Sequence, residues 1–456
     1  MKTQTLKPYP AYRDSGLQWL TEMPKHWATE RAKWLFQRID RPVRPGDDVV
    51  TCFRDGIVTL RKKRRVRGFT ESLKEIGYQG VREGDLVIHA MDAFAGAAGV
   101  SDSDGKCTPV YAVCQPKQDV DSRYYAHIVR EMARTQWIAA LAKGIRERST
   151  DFRFDDFAGQ VVPVPSKEEQ DAIVAFLAHA DRRINRLIRA KRRLIELLNE
   201  QKQAIIHRAV TLGLDPGVRL KPSGVDSLGD VPKHWELSRV KREFKCLNHR
   251  RIPLSAVERG TMTSRQYNYY GASGVIDKVD DYLFDDELLL IAEDGANLVL
   301  RNLPLAIVAR GKFWVNNNAH ILKPKRGNLE YLANLMEVVD YRRWISGAAQ
   351  PKLTQDRIMA IRIPVPPPDE QDRIQAHLDA VIAPFRSATD RAQREIGLVR
   401  EYRTRLVADV VTGKLDVRDV ELPALDKDEV LEDWDEDTEE EAEEIAETEE
   451  IALADV

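Results

Sequence analysis

The segment Val162 to Leu177, VPVPSKEEQDAIVAFL, returns 201 residues later as Ile363 to Leu378, IPVPPPDEQDRIQAHL. The same offset joins Glu200 to Glu401, Thr211 to Thr412, and Leu214-Asp215 to Leu415-Asp416. A second echo, offset by 208, repeats Ser15-Gly16 and Pro24-Lys25-His26-Trp27 as Ser223-Gly224 and Pro232-Lys233-His234-Trp235. Internal repetition decides architecture before any local pattern does. Each copy reads as a lead-in ending in PKHW, a globular stretch, a PVP segment and a long run of polar and apolar residues. Outside these borders the copies share little. A repeated frame with different inserts points to two modules that each recognise something different.

The runs after PVP are expected to be helices with a heptad seam. In the first, Ile173, Leu177, Ala180, Ile184, Leu187, Lys191, Leu194, Leu198, Gln201 and Ile205 alternate at four and three residues. Ser166 and Glu169 form a capping box at its start, and Gly213 stops it. In the second, Ile374, Leu378, Val381, Phe385, Ala388, Ala392, Glu395, Val399, Tyr402 and Leu406 keep the same phase, with Gly413 as the stop. Two equivalent seams can satisfy each other, and at 1.5 Å per residue about 40 residues make a rod of roughly 60 Å. Ordinary helical hairpins carry such seams as well. The duplication favours a spacer between two modules. In the first insert, Val49 to Arg54 and Ile57 to Arg61 flank the turn Asp55-Gly56, and Gly84-Asp85 precedes a strand at Leu86 to His89. In the second, Leu288 to Ala292 and Ala306 to Ala309 read as strands.

The 456 residues hold 70 Lys and Arg against 73 Asp and Glu, a net charge of -3 that conceals an asymmetry. From Glu421 onward there are 18 acidic residues and one basic, so the preceding 420 carry a net +14. A basic body suits a nucleic acid partner, and the acidic tail is expected to be disordered. Four cysteines (Cys52, Cys107, Cys114, Cys246) show no C-x-x-C spacing, which argues for reduced thiols rather than disulfides or a zinc finger. The start, MKTQTLKPYPAYRDSG, has no apolar h-region, and no run approaches the 18 apolar residues of a membrane span. A cytoplasmic protein with no membrane partner is expected.

Together, PKHW, PVPSKEEQ and PVPPPDEQ ahead of long helices, and VTGKLD at the end of the second, resemble the specificity subunit of Type I restriction-modification systems, over residues 10 to about 418. The resemblance implies an α+β chain: two mixed α/β target-recognition domains separated by two long helices that form an antiparallel coiled coil, with pseudo-twofold tandem repetition. It divides the chain into 1–160, lead-in and first recognition domain; 161–214, central helical region; 215–362, second lead-in and recognition domain; 363–418, distal helical region; and 419–456, the acidic tail. It implies two half-sites of duplex DNA with the gap fixed by the helices. The implied partners are two methyltransferase subunits, which methylate an adenine on each strand after flipping it out, and a motor-nuclease subunit. S-adenosylmethionine, ATP and Mg2+ are expected on those partners, with no cofactor in this chain. The loop Gly347 to Thr354 resembles the small-residue loop ahead of the second PVP segment in the family; its counterpart near Gly144-Ile145-Arg146 diverges.

Catalytic motifs are sparse, and neither catalytic nor metal residues are assigned. Asp92-Ala-Phe94-Ala-Gly96-Ala-Ala-Gly99 approaches the F-x-G-x-G loop that receives S-adenosylmethionine, but Ala98 replaces its second glycine and no (N/D)-P-P-(Y/F) clamp accompanies it. A structural turn is the favoured reading. No G-x-x-x-x-G-K-[ST] loop or H-E-x-x-H helix is present. For DNA contact, Arg61, Lys62, Lys63, Arg64, Arg65 and Arg67 place six basic residues in seven after the first hairpin. Asn248, His249, Arg250 and Arg251 open the second insert, and Asn316, Asn317, Asn318 and His320 offer amides that suit adenine. Each set has a bland counterpart in a solvated loop or a turn. Tyr267 to Gly274 could stack on bases, with a core role favoured, and the recurring His-Trp pairs are expected to pack against the helices. A free-standing DNA-binding regulator is the alternative to a targeting subunit. A methyltransferase using the Asp92 loop is a third possibility.

Overall fold

The computed structural model describes residues 6–64, 76–141, 151–347 and 351–423. The chain forms two compact units, residues 1–191 with 394–456, and residues 192–393. Both unit boundaries fall inside the long helices Lys167–Leu212 and Pro368–Val411. Each unit therefore holds part of both.

In the first unit, the strand after PKHW, Ala28–Arg31, pairs antiparallel with the PVP strand Val161–Val164, Ala28 opposite Val164. One helical turn, Ala32–Leu35, then leads into Phe36–Arg38, the edge of a four-stranded antiparallel sheet. Its remaining strands, in order, are Tyr111–Pro116, Leu86–His89 and Ala98–Val100. The expected hairpin forms from Val50–Cys52 and Val58–Leu60, with Gly56 at φ +90°, a conformation that costs glycine little. Helix Ser122–Arg134, capped by Asp121, packs its buried face into a core with Trp27, Phe36, Phe157, Ile173, Leu177, Leu406 and Val410.

The second unit repeats the frame. Glu236–Arg239 pairs antiparallel with Arg362–Val365, Glu236 opposite Val365, and the turn Val240–Glu243 leads into Phe244–Cys246. The sheet is different. It has six strands, in the order Phe244–Cys246, Ala319–Pro324, Phe284–Ala292, Ala306–Val315, Tyr267–Gly271, Gly274–Val279, with Tyr267–Gly271 parallel to Ala306–Val315. Helix Leu329–Val338, capped by Asn328, meets Trp235, Phe244, Ile206, Val210, Ile374 and Leu378 in its core.

The repeated motifs are hydrogen-bonding parts of this frame. His26 Nε2 lies 3.1 Å from Glu169 Oε2, and His234 Nε2 lies 2.8 Å from Glu370 Oε2. The adjacent glutamine, about 1% exposed in both copies, bonds at both ends of its amide. Gln170 Oε1 accepts the Asp121 N–H at 2.8 Å while its Nε2 donates to the Pro165 carbonyl at 2.9 Å. Gln371 does the same with the Asn328 N–H and the Pro366 carbonyl, both at 2.9 Å. Tyr124 and Tyr331 donate to the last-turn carbonyls of Val411 and Val210, at 3.1 and 3.3 Å. Trp27 and Trp235 are buried, so the His-Trp pairs do pack against the helices. The expected capping box is half made. Ser166 Oγ accepts the Glu169 N–H, while the Glu169 carboxylate turns to His26.

The helix seams need a correction of phase. Leu177, Ile184, Lys191, Leu198 and Ile205, like Leu378, Phe385, Ala392, Val399 and Leu406, are buried or half-buried, and so are Ile173, Ile374 and Val381. The alternate row falls one residue later than expected. Ile188 and Ile195 turn inward, leaving Leu187 and Leu194 44% and 43% exposed, and Tyr402 yields its place to Arg403. Leu-Ile steps at 187–188 and 194–195 offer two apolar phases, and periodicity alone cannot choose between them. The later phase also joins Asp181 Oδ1 to Arg403 Nη2 at 2.6 Å in the first unit. With Lys191 Nζ 2.5 Å from Glu395 Oε2, this shows the helices running antiparallel there.

Candidate nucleic-acid interface

The basic run of the first unit opens on a single 3-10 turn, Arg61–Lys63, directly after the Val58–Leu60 strand. Arg61 Nε donates to Thr51 Oγ1 at 3.2 Å. Lys62 reaches Asp48 and holds that carboxyl below its usual range, while Lys63 Nζ donates to Ser103 Oγ at 2.9 Å. Both ammonium groups face solvent. Arg64 does not, which corrects its assignment to the DNA-facing set. Its side chain is 3% exposed, pairs with Asp55 Oδ2 at 2.5 Å and lies over the Phe53 ring, 4.6 Å from the centroid. A guanidinium committed to a carboxylate and a ring inside the unit cannot reach a phosphate. Arg65 and Arg67 lie outside the described residues, as do the tail from residue 424, the Gly144-Ile145-Arg146 segment and residues 348–350 of the small-residue loop.

In the second unit burial again divides the candidates. His320 is fully buried: its Nε2 donates to the Leu353 carbonyl at 2.7 Å, and its Nδ1 accepts from Asn248 Nδ2 at 2.8 Å. Both bonds suit the neutral ring, and burial lowers its pKa. Asn248 Oδ1 also takes the Ile321 N–H at 2.9 Å, so Asn248 is a structural clamp. Arg251 pairs with Glu293 and donates to the carbonyls of Asn317 and Ala319 at 3.1 and 2.9 Å. Asn316, also buried, accepts the Asn318 N–H at 2.8 Å and shapes that turn. Asn248, Arg251, Asn316 and His320 thus hold the insert together rather than reading bases. Asn318 is half-buried, whereas His249, Arg250 and Asn317 are exposed.

The structure gathers a set that the sequence did not. Arg250 lies over Phe284 at 4.6 Å and donates to the Leu283 carbonyl at 3.0 Å. Beside it, Tyr282 stands 5.1 Å from Tyr267, with Lys312 Nζ 4.6 Å from the Tyr282 ring centre. Phe284 is buried, but the exposed Tyr282 ring beside Lys312 is an aromatic face edged by a cation, which suits nucleic acid. The only available signal was aromatics and bases scattered over four segments, which the folding of the sheet and its loops brings together. Tyr269 and Tyr270 belong to the core, 1% and 9% exposed.

The Asp92 string folds as a packed turn. Ala93, Ala97 and Ala98 are fully buried, Gly96 takes φ +95°, and a Cβ on Gly99 would meet the Gly56 carbonyl oxygen at 1.9 Å. Among the described residues no cluster of His, Cys, Asp and Glu could hold a metal ion, and no helix is long and apolar enough to cross a membrane.

Residues 232–396 match the family described as the Type I restriction modification DNA specificity domain. A protein of Haemophilus influenzae described as a type I restriction enzyme specificity subunit is 34% identical over 139 residues, 30% of this chain and 34% of that protein. The match thus spans about a third of the relative's length. The Methanocaldococcus jannaschii protein described as the MjaX specificity subunit is 21% identical over 66% of this chain and 70% of its own. In fold, the chain is similar to one from a solved type I R-M system, with a TM-score of 0.60 at 14% identity, covering 86% of this chain and 99% of that one.

Proposed function

We propose that the chain is the non-catalytic DNA-targeting subunit of a Type I restriction-modification system, a reading supported by the match of residues 232–396 to the Type I DNA specificity domain and by the likeness to two specificity subunits. Each unit reads one half of a bipartite, asymmetric duplex site, and the helix pair sets the gap between the halves. Two methyltransferase subunits dock on the helices and bring S-adenosylmethionine to an adenine in each half-site. A motor-nuclease subunit, with ATP and Mg2+, joins them for restriction in the cytoplasm.

One observation carries this reading. The His-Glu and Gln bonds of the frame are the same in both units, while the sheets they hold have four strands and six. Sameness where partners would dock and difference where bases would be read fit two readers serving one pair of enzymes. Exposed Lys62 and Lys63 in one unit, and Arg250, Tyr282 and Lys312 in the other, supply phosphate and base contacts.

The test is purification of the chain from its host together with a genome-wide map of modified adenines, with and without this protein. A copurifying methyltransferase and loss of one bipartite motif on deletion are expected. An unchanged adenine map would overturn the proposal and favour a regulator acting alone.

A further inference from the structure

The first unit carries a charged face that target recognition leaves unused. From Arg182 to Lys191 the first long helix has five basic residues and no acidic one; from Arg394 to Arg405 the second has four basic and two acidic. The Asp181–Arg403 and Lys191–Glu395 pairs set these stretches side by side. Leu187 precedes the seam residue Ile188, and Tyr402 precedes the seam residue Arg403. In an antiparallel pair, two residues so placed flank the same side of the seam. Leu187, Leu398 and Tyr402 are 44%, 64% and 57% exposed, and Arg183, Arg186, Arg394 and Arg405 are exposed on the same stretches. An apolar strip edged by guanidinium groups calls for an occupant that is both apolar and acidic.

The chain holds such a segment. Residues 424–456 carry 17 acidic residues and one basic, with Leu431, Trp434, Ile445, Ile451 and Leu453 spaced among them. They follow Pro423, which belongs to the first unit, in the sequence. Arg394 lies 17 residues, roughly 26 Å of helix, before Val411, and 33 residues of chain have an end-to-end distance of about 30 Å even as a coil. The reach is sufficient.

We propose that the acidic tail, residues 424–456, docks on this face of the first unit, its apolar residues on Leu187, Leu398 and Tyr402 and its carboxylates on the surrounding arginines. Docked there, it shields a basic surface from unspecific DNA and holds a helix face that a partner subunit would have to claim. The claim about a partner rests on the targeting role; the docking itself does not.

The test uses the full chain with a specific protease site introduced after Pro423, cleaved once the protein has folded and then passed over a sizing column. The severed tail is expected to travel with the body at 50 mM salt and to separate at 500 mM. It is expected to separate at low salt in the Arg183→Glu, Arg186→Glu, Arg394→Glu variant. It is also expected to separate when Glu439, Glu440, Glu441, Glu443 and Glu444 become Gln, a change that leaves the body untouched. Separation of the unaltered tail at 50 mM salt, or retention of the tail in either variant, overturns the proposal. No partner or target site enters the assay, so its failure leaves the targeting role standing.

Discussion

Replacing Lys62 and Lys63 with glutamine tests whether the first basic run touches phosphate, and Arg64 provides its internal control. The two lysines are accessible, with side chains 66% and 38% exposed. Each phosphate contact contributes about 0.9 to the slope of log affinity against log salt, so losing two lowers the slope by about 1.8. Between 50 and 200 mM salt the unaltered protein should then lose roughly tenfold more affinity than the double variant. Fluorescence anisotropy on an unrelated duplex across that range measures it. Arg64→Ala should leave the slope alone and instead destabilise the first unit. Removing one partner of a buried pair costs about 3–5 kcal/mol, but Asp55 is a quarter exposed and Arg64 Nε and Nη1 find no acceptor among the described residues. About 2 kcal/mol is therefore expected, read as a shifted urea midpoint. An unchanged slope in the double variant, or a slope flattened by Arg64→Ala, would refute the reasoning.

Gln371→Ala strands the Asn328 N–H and the Pro366 carbonyl, for about 2–4 kcal/mol; urea unfolding with faster hydrogen exchange across Leu329–Val338 would show it, and Gln170→Ala should repeat the loss in the first unit. His320 has a pKa lowered by burial, so at low pH the unfolded chain takes a proton that the folded chain refuses. Stability of the second unit should therefore hold above about pH 6.5 and fall below it by up to about 1.4 kcal/mol per pH unit. Urea midpoints at pH 7.5, 6.5 and 5.5 test this; an equal pH dependence in His320→Gln would count against it. Tyr282→Ala with Lys312→Ala should weaken duplex binding by about 1–3 kcal/mol if a base stacks there, and unaltered anisotropy would remove that patch from the interface.

The frame was legible in the sequence because its bonds join the repeated residues themselves: His26 to Glu169, His234 to Glu370, and the glutamines to the carbonyls of their own PVP segments. The Asp55-Gly56 hairpin was legible too, since a turn is a local decision. What escaped depends on tertiary packing. Arg64 sits in a run of bases with nothing local to mark it as the buried member. Asn248 and His320 find each other across 72 residues, a distance that composition cannot span. Helices Ser122–Arg134 and Leu329–Val338 are anchored by glutamines far along the chain that hold the N–H groups of their cap residues, Asp121 and Asn328. The seam phase failed because two adjacent apolar rows compete, and the row that lost its place now forms the exposed flank at Leu187 and Tyr402.

The glutamine and tyrosine bonds make each insert exchangeable. Gln170 asks only for a backbone N–H at the start of a helix, and Tyr124 offers one hydroxyl to a carbonyl at the far end of the other long helix. Any insert that begins a helix at that spot and carries a tyrosine three residues past its cap can plug into this socket. Under the proposed targeting role, transplanting one insert would supply a new address without retuning the frame that holds it.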